Sequence, residues 1–182
     1  MQTVEPIRKK SEIEEVKRLL KTKRERDYLL FVMGINLGLR ISDLLKLRVV
    51  DVRNKAYIEI VEQKTGKLRK IPIRDNLSSL INPFIKNKPD EQWLFKSQKG
   101  HNNPITRVQA YRLINSVCRR AGFDAHFGTH TLRKTFGYHL YQMTKDVALL
   151  QNIFNHSSPA ITMRYIGINQ DIIDIQLKQF NL

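Results

Sequence analysis

Ile13, Val16, Leu19 and Leu20 recur at helical spacing behind Ser11, with Glu14 three residues after that serine. The pattern predicts an amphipathic helix over 12–21, opened by a capping box between Ser11 and Glu14. A second helix is expected over 25–37. Its centre, Leu29-Leu30-Phe31-Val32-Met33, is apolar on every side and must be buried, and Gly38 is a natural stop. Ser42 is expected to cap a short helix reaching Leu47. The period then shortens. Segments 56–61 and 68–73 are strand-like and joined by Lys64-Thr65-Gly66-Lys67, a turn in which Gly takes positive φ at little cost. Residues 49–52 read as a short edge strand. After a helix near 77–85 and a loop holding Pro89 and Trp93, helical patterns cover 107–121, 132–142, 147–154, 160–165 and 171–180. The fold class expected is mainly α with a small antiparallel β-sheet, in one domain over 1–182, without repeats or linkers.

Charge adds what the pattern lacks. Among 182 residues, 32 are Lys or Arg and 17 are Asp or Glu, a net charge of +15. The basic residues are concentrated: ten against four acids over 40–74, and nine against the single Asp124 over 96–145, whereas 147–182 is neutral. Lysines spread for solubility would be interleaved with acids, so a basic face built from the two central segments is expected, directed at a polyanion such as nucleic acid. Eight Gly and six Pro exclude collagen-like and low-complexity chains. A lone Cys118 excludes an internal disulfide or a thiolate zinc site. The apolar stretch 28–39, interrupted by Gly34, Asn36 and Gly38, is too short to span a bilayer, and 1–15 lacks the apolar run of a secretory signal. The expectation is a soluble, cytoplasmic protein with no membrane partner.

Taken singly, the candidate chemical residues are ordinary. Arg40 would serve as a helix-end cation, Lys64 as a hairpin lysine, His156 as the close of a helix and Tyr165 as a core aromatic, while His130 and Arg133 are merely three apart on one helical face. As a set they suit one reaction. Two arginines can fork onto the non-bridging oxygens of a phosphodiester, and histidines can donate hydrogen bonds or relay protons. A lysine on a turn can protonate a departing oxygen, and a tyrosine among such cations is expected to become a usable nucleophile.

In order and spacing, Gly38-Leu39-Arg40-Ile41-Ser42-Asp43-Leu44, the turn Lys64-Thr65-Gly66, His130-Thr131-Leu132-Arg133, His156 and Tyr165 resemble the catalytic signature of the tyrosine recombinases, the phage integrase family. The resemblance runs from about the first helix to about Tyr165. It implies the tyrosine recombinase catalytic-domain fold and a site-specific recombinase that cuts and rejoins DNA by transesterification through a 3′-phosphotyrosyl intermediate. Arg40 and Arg133 would bind the scissile phosphate. Lys64 would be the general acid, His130 would assist proton transfer, His156 would hydrogen-bond the phosphate, and Tyr165 would be the nucleophile. Asp43 would orient the basic cluster from behind. No cofactor and no metal are implied. The partners implied are double-stranded DNA, further copies of the chain up to a tetrameric synapse, and accessory DNA-binding proteins.

The resemblance also implies that the N-terminal core-binding domain common in the family is absent, and that the tail 168–182, with Ile168, Ile172, Ile173, Leu177 and Phe180, either docks on a neighbouring protomer or packs back on its own domain. Where the family commonly has Gly before the second histidine, this chain has Asn155, which tolerates left-handed geometry, so the turn is expected to survive. The competing reading is a non-catalytic DNA-binding accessory protein with the same fold. A metal-dependent nuclease would need clustered carboxylates that 96–145 lacks, and a topoisomerase would share the same active-site chemistry.

Overall fold

The computed structural model of the chain describes residues 4–168, eight α-helices and a two-stranded sheet. Helix α1 (Lys10–Lys21) buries Ile13, Val16 and Leu20. It begins ahead of the expected cap: Ser11 lies inside it, and Glu12 accepts from the Lys9 backbone N–H at 3.4 Å. Helix α2 (Glu25–Leu37) has the expected bounds, buries Leu29 through Met33, and stops at Gly38 in left-handed conformation, φ 61°. Arg40 rather than Ser42 precedes the four-residue α3 (Ile41–Leu44).

The expected edge strand at 49–52 is instead a 3₁₀ turn over Val49–Asp51. Val49 and Val52 are three residues apart, so one 3₁₀ turn sends both into the core, where both are buried; a strand would have put them on opposite faces. Their backbone is satisfied elsewhere, with Val49 N donating to Gln92 O at 2.9 Å and Val50 N to Asp90 O at 3.0 Å. Strands β1 (Tyr57–Val61) and β2 (Leu68–Pro72) pair antiparallel with Val61 opposite Leu68. Helix α4 (Asp75–Ile85) follows, then α5 (Arg107–Arg120), held at its start by a reciprocal Thr106–Gln109 capping box.

Helix α6 (Thr129–Thr144) starts three residues earlier than the apolar pattern suggested. It crosses α2 at Gly34, where an added Cβ would fall 2.5 Å from Leu132. Asp146 caps α7 (Val147–Phe154), and Ser158 with Pro159 opens α8 (Pro159–Ile166). Leu150, Phe154, Ile166 and Ile168 form a small apolar cluster apart from the main core. Ile168 is thus buried within its own chain and is not part of an exposed docking stripe; the expected helix at 171–180 and the rest of the tail lie outside the described residues. Ahead of α1, an extended segment crosses α6: Ile7 N donates to Thr135 Oγ1 at 2.9 Å, and Arg8 Nη2 to Gly167 O at 3.1 Å. No helix among the described residues is long and apolar enough to cross a membrane.

The small cluster closes on α6 at Gly137, where an added Cβ would fall 2.7 Å from both Ile166 and Phe154. Gly137→Ala should therefore overpack the contact and lower stability by about 1–3 kcal/mol, read as a lower midpoint in urea denaturation.

Candidate active site

Gly38 is the hinge on which both arginines depend. Its positive φ turns the chain out of α2, a Cβ there would meet the Phe136 ring at 2.5 Å, and Arg40 follows two residues later. Its carbonyl accepts from Arg133 Nη1, which anchors that side chain from α6. Arg133 also donates to Phe154 O at 3.3 Å and lies 4.6 Å from the centre of the Phe154 ring. Burial pushes its guanidinium down to about 10, with the Arg40 and Arg69 charges acting in the same direction, so it stays cationic near neutral pH.

Arg40 is held by an acid that sequence reasoning did not single out. Its Nη1 lies 2.6 Å from Glu62 Oε2, and Arg69 Nη1 lies 3.1 Å from Glu62 Oε1. Glu62 is only 2% exposed. Burial alone would raise its pKa, but hydrogen bonds from Arg40, Thr65 and Arg69 outweigh that and hold it below the usual carboxylate range. The sequence signal was an acid one residue beyond strand β1, among ten basic residues. Asp43, fully buried on α3, does not pair with an arginine among the described residues; it accepts from the Gln63 backbone N–H at 3.0 Å, next to Lys64. Lys64 itself is exposed on the β1–β2 turn, where Gly66 takes φ 66°. The turn is tied to the end of α7 by Lys67 Nζ, 2.6 Å from Asn155 Oδ1. Asn155 is left-handed, φ 54°, as the turn before His156 requires.

The early start of α6 puts His130 and Arg133 one helical turn apart. His130 Nδ1 lies 3.4 Å from the Tyr165 hydroxyl. The Tyr165 ring also meets His156 edge-on at 5.1 Å and Phe154 at 5.4 Å, and the buried Lys134 ammonium, another residue missed in the sequence, lies 5.3 Å from its centre. His156 Nδ1 is 3.1 Å from Thr162 Oγ1 on α8, a partner with no pattern of its own to mark it. The structure thus gathers Arg40, Lys64, His130, Arg133, His156 and Tyr165 into one region. Arg40, Lys64 and His130 open into a cleft of about 560 Å³ that Ser42, Lys46 and Arg107 also border. Among the described residues, no group of three or more His, Cys, Asp or Glu is placed to hold a metal ion.

Burial of the Tyr165 phenol raises its pKa, and the Arg133 and Arg40 charges offset only part of that. Burial, then Arg133, Lys134, Arg40 and Lys64, lower the pKa of His130 and leave its imidazole neutral at pH 7. Burial and the Arg133, Arg40 and Lys64 charges lower that of His156 as well.

Residues 10–171 match the Phage integrase family. The chain is 51% identical over 180 residues to the "Probable integrase/recombinase YoeC" of Bacillus subtilis, covering 99% of this chain and 98% of that protein. It is 31% identical over 160 residues to a tyrosine recombinase of Pseudothermotoga lettingae, covering 85% of this chain and 54% of that protein. The chain therefore spans about half the length of the latter, and 60% of the tyrosine recombinase XerA of Pyrococcus furiosus. Among solved structures, a XerA recombinase superposes with a TM-score of 0.75 at 20% identity, over 96% of this chain and 65% of that one. A XerH recombinase in a post-cleavage complex with a palindromic difH substrate gives 0.70 at 22% identity, over 92% and 51%. These two likenesses establish the fold.

The histidine environment makes a measurable statement. Both imidazoles should titrate below the ordinary 6.5 in an NMR pH series, and Lys64→Gln should raise both midpoints, since the Lys64 charge lowers each. The unfolded chain binds more protons between the folded midpoints and 6.5. The contribution to stability is therefore full above 6.5 and is lost as pH falls through the folded values.

Proposed function

The chain belongs to the phage integrase family, and from that premise we propose that it is a site-specific DNA recombinase acting through a covalent protein–DNA intermediate. The observation that carries this reading is the Tyr165 hydroxyl 3.4 Å from His130 Nδ1, on the chain that also supplies Arg40, Lys64, Arg133 and His156. The Arg40 and Arg133 guanidiniums fork onto the non-bridging oxygens of the scissile phosphate and hold the added charge of its five-coordinate transition state. Tyr165 Oη bonds to phosphorus while its proton passes to His130 Nδ1. The bond from phosphorus to the 5′ oxygen breaks, and the Lys64 ammonium protonates that oxygen. His156 hydrogen-bonds the phosphate through its ring, whose Nδ1 lies 3.1 Å from Thr162 Oγ1, a hydroxyl that itself donates to Ser158 O at 3.3 Å. An incoming 5′ hydroxyl reverses the sequence on another strand. Bond energy is conserved throughout, so neither a nucleotide triphosphate nor a redox cofactor is called for.

The same reading supplies the partners. The excess of basic residues over 40–74 and 96–145 suits duplex DNA, exchange between two strands needs more than one copy of the chain, and a four-copy synapse is the arrangement we propose. Residues 1–182 act as the catalytic domain, and accessory DNA-binding proteins would help hold the site.

Incubation with a nicked suicide duplex in EDTA should give an adduct that survives a denaturing gel. Tyr165→Phe should give none while still binding the duplex, and an adduct from that variant would remove Tyr165 as the nucleophile. Arg40→Ala or Arg133→Ala should slow adduct formation by roughly 10³-fold, by analogy with arginines that stabilise phosphoryl transfer. Affinity should also fall steeply with salt, and a flat dependence would count against phosphate-led binding.

A further inference from the structure

Glu62 joins the two halves of the site. Its Oε2 accepts from Arg40 Nη1 at 2.6 Å and from the Thr65 hydroxyl at 2.9 Å, and its Oε1 from Arg69 Nη1 at 3.1 Å. Its own backbone closes the turn, with Glu62 N donating to Lys67 O at 3.0 Å and Gly66 N donating to Glu62 O at 2.8 Å. One buried carboxylate therefore grips the arginine that faces the phosphate and, through Thr65, the turn that carries Lys64. Rotating the turn away would break the Thr65 bond and leave that acceptor position of a buried ion open, which is costly. Moving Arg40 would do the same from the other side.

Building on the function proposed above, we propose that Glu62 is a positioning residue that fixes Arg40 and Lys64 relative to one another, so that phosphate binding and protonation of the leaving oxygen occur in register. Asp43 steadies the same turn through Gln63 N but reaches neither arginine among the described residues. Glu62 is thus the shared link. Thr65 is the arm that serves Lys64 alone, because its hydroxyl joins the turn to the carboxylate without touching Arg40.

Duplex DNA with sulfur in place of the bridging 5′ oxygen tests this. A thiolate leaves without protonation, a thiol having a pKa of about 8.5. With such a substrate a defect in the general acid disappears and a defect in phosphate binding persists. Lys64→Ala should be slow on the oxygen substrate and normal on the sulfur one; Arg40→Ala should be slow on both. Glu62→Gln should form adduct about 10- to 100-fold more slowly on oxygen, a range typical of residues that orient catalytic groups, and sulfur should restore only part of that loss. Thr65→Val should be slowed on oxygen and fully restored by sulfur; it carries the test if Glu62→Gln does not fold. Full recovery of Glu62→Gln, no recovery, or no defect at all would overturn the shared role. So would a Thr65→Val defect that sulfur leaves in place. A Lys64→Ala defect untouched by sulfur would bring down the Lys64 assignment itself and this proposal with it, an outcome distinct from the others.

Discussion

Cations gathered around one point repel one another, and the architecture of this site is arranged to withstand that repulsion. Arg133 is driven down to about 10 by burial and by its neighbours Arg40 and Arg69. Burial, and then the same charges, push His130 and His156 towards the neutral form. Three devices keep the cluster assembled: backbone carbonyls of Gly38 and Phe154 on Arg133, the Phe154 ring beneath it, and the Glu62 carboxylate between Arg40 and Arg69. A phosphodiester would complete the balance from the open side. Burial sets the two kinds of group apart, holding the imidazoles towards their neutral form and raising the pKa of the Tyr165 phenol.

The fold supplies these devices from widely separated parts of the chain. Helix α2 is apolar enough to sit at the centre and ends at the glycine whose carbonyl meets Arg133; α6 crosses it closely because Gly34 leaves room for Leu132. The sheet is too small to add much to the core. Beyond the Ile58 and Ile71 it lends the core, it carries a turn across to Asn155, which places Lys64 near two histidines whose pKa its charge lowers.

Much of this was legible in the sequence wherever one local rule dominated. Helix α2 is bounded by a solid apolar run and a glycine, and α7 by helical periodicity, so both were placed to the residue. The six candidate residues were singled out because their order and spacing resemble the tyrosine recombinase signature, and the fold brings them into one region. Where two rules competed, the reading failed. Val49-Val50 favours a strand by composition, but the three-residue spacing of Val49 and Val52 suits a 3₁₀ turn, and burial decided between them. Glu62 and Lys134 were invisible because each takes its place from a partner far along the chain, Arg40 for the first and Tyr165 for the second, and Thr162 because the turn between α7 and α8, which no periodicity describes, brings it to the ring of His156. The rise in the Tyr165 pKa was not legible because a sequence lists charges but does not weigh them against desolvation.

The modest cluster of Leu150, Phe154, Ile166 and Ile168 carries His156 and Tyr165, while the main core lies elsewhere. That cluster is smaller than the main core, so less apolar burial resists its opening, and this lobe is expected to open beneath the threshold for global unfolding. Warming such a molecule would silence its chemistry before its helices melt. Backbone amides of α7 and α8 would trade their hydrogens for deuterium sooner than those of α2. Tyr165 thus sits on the part of the protein expected to loosen first, and so also the part most readily firmed up by whatever settles against it.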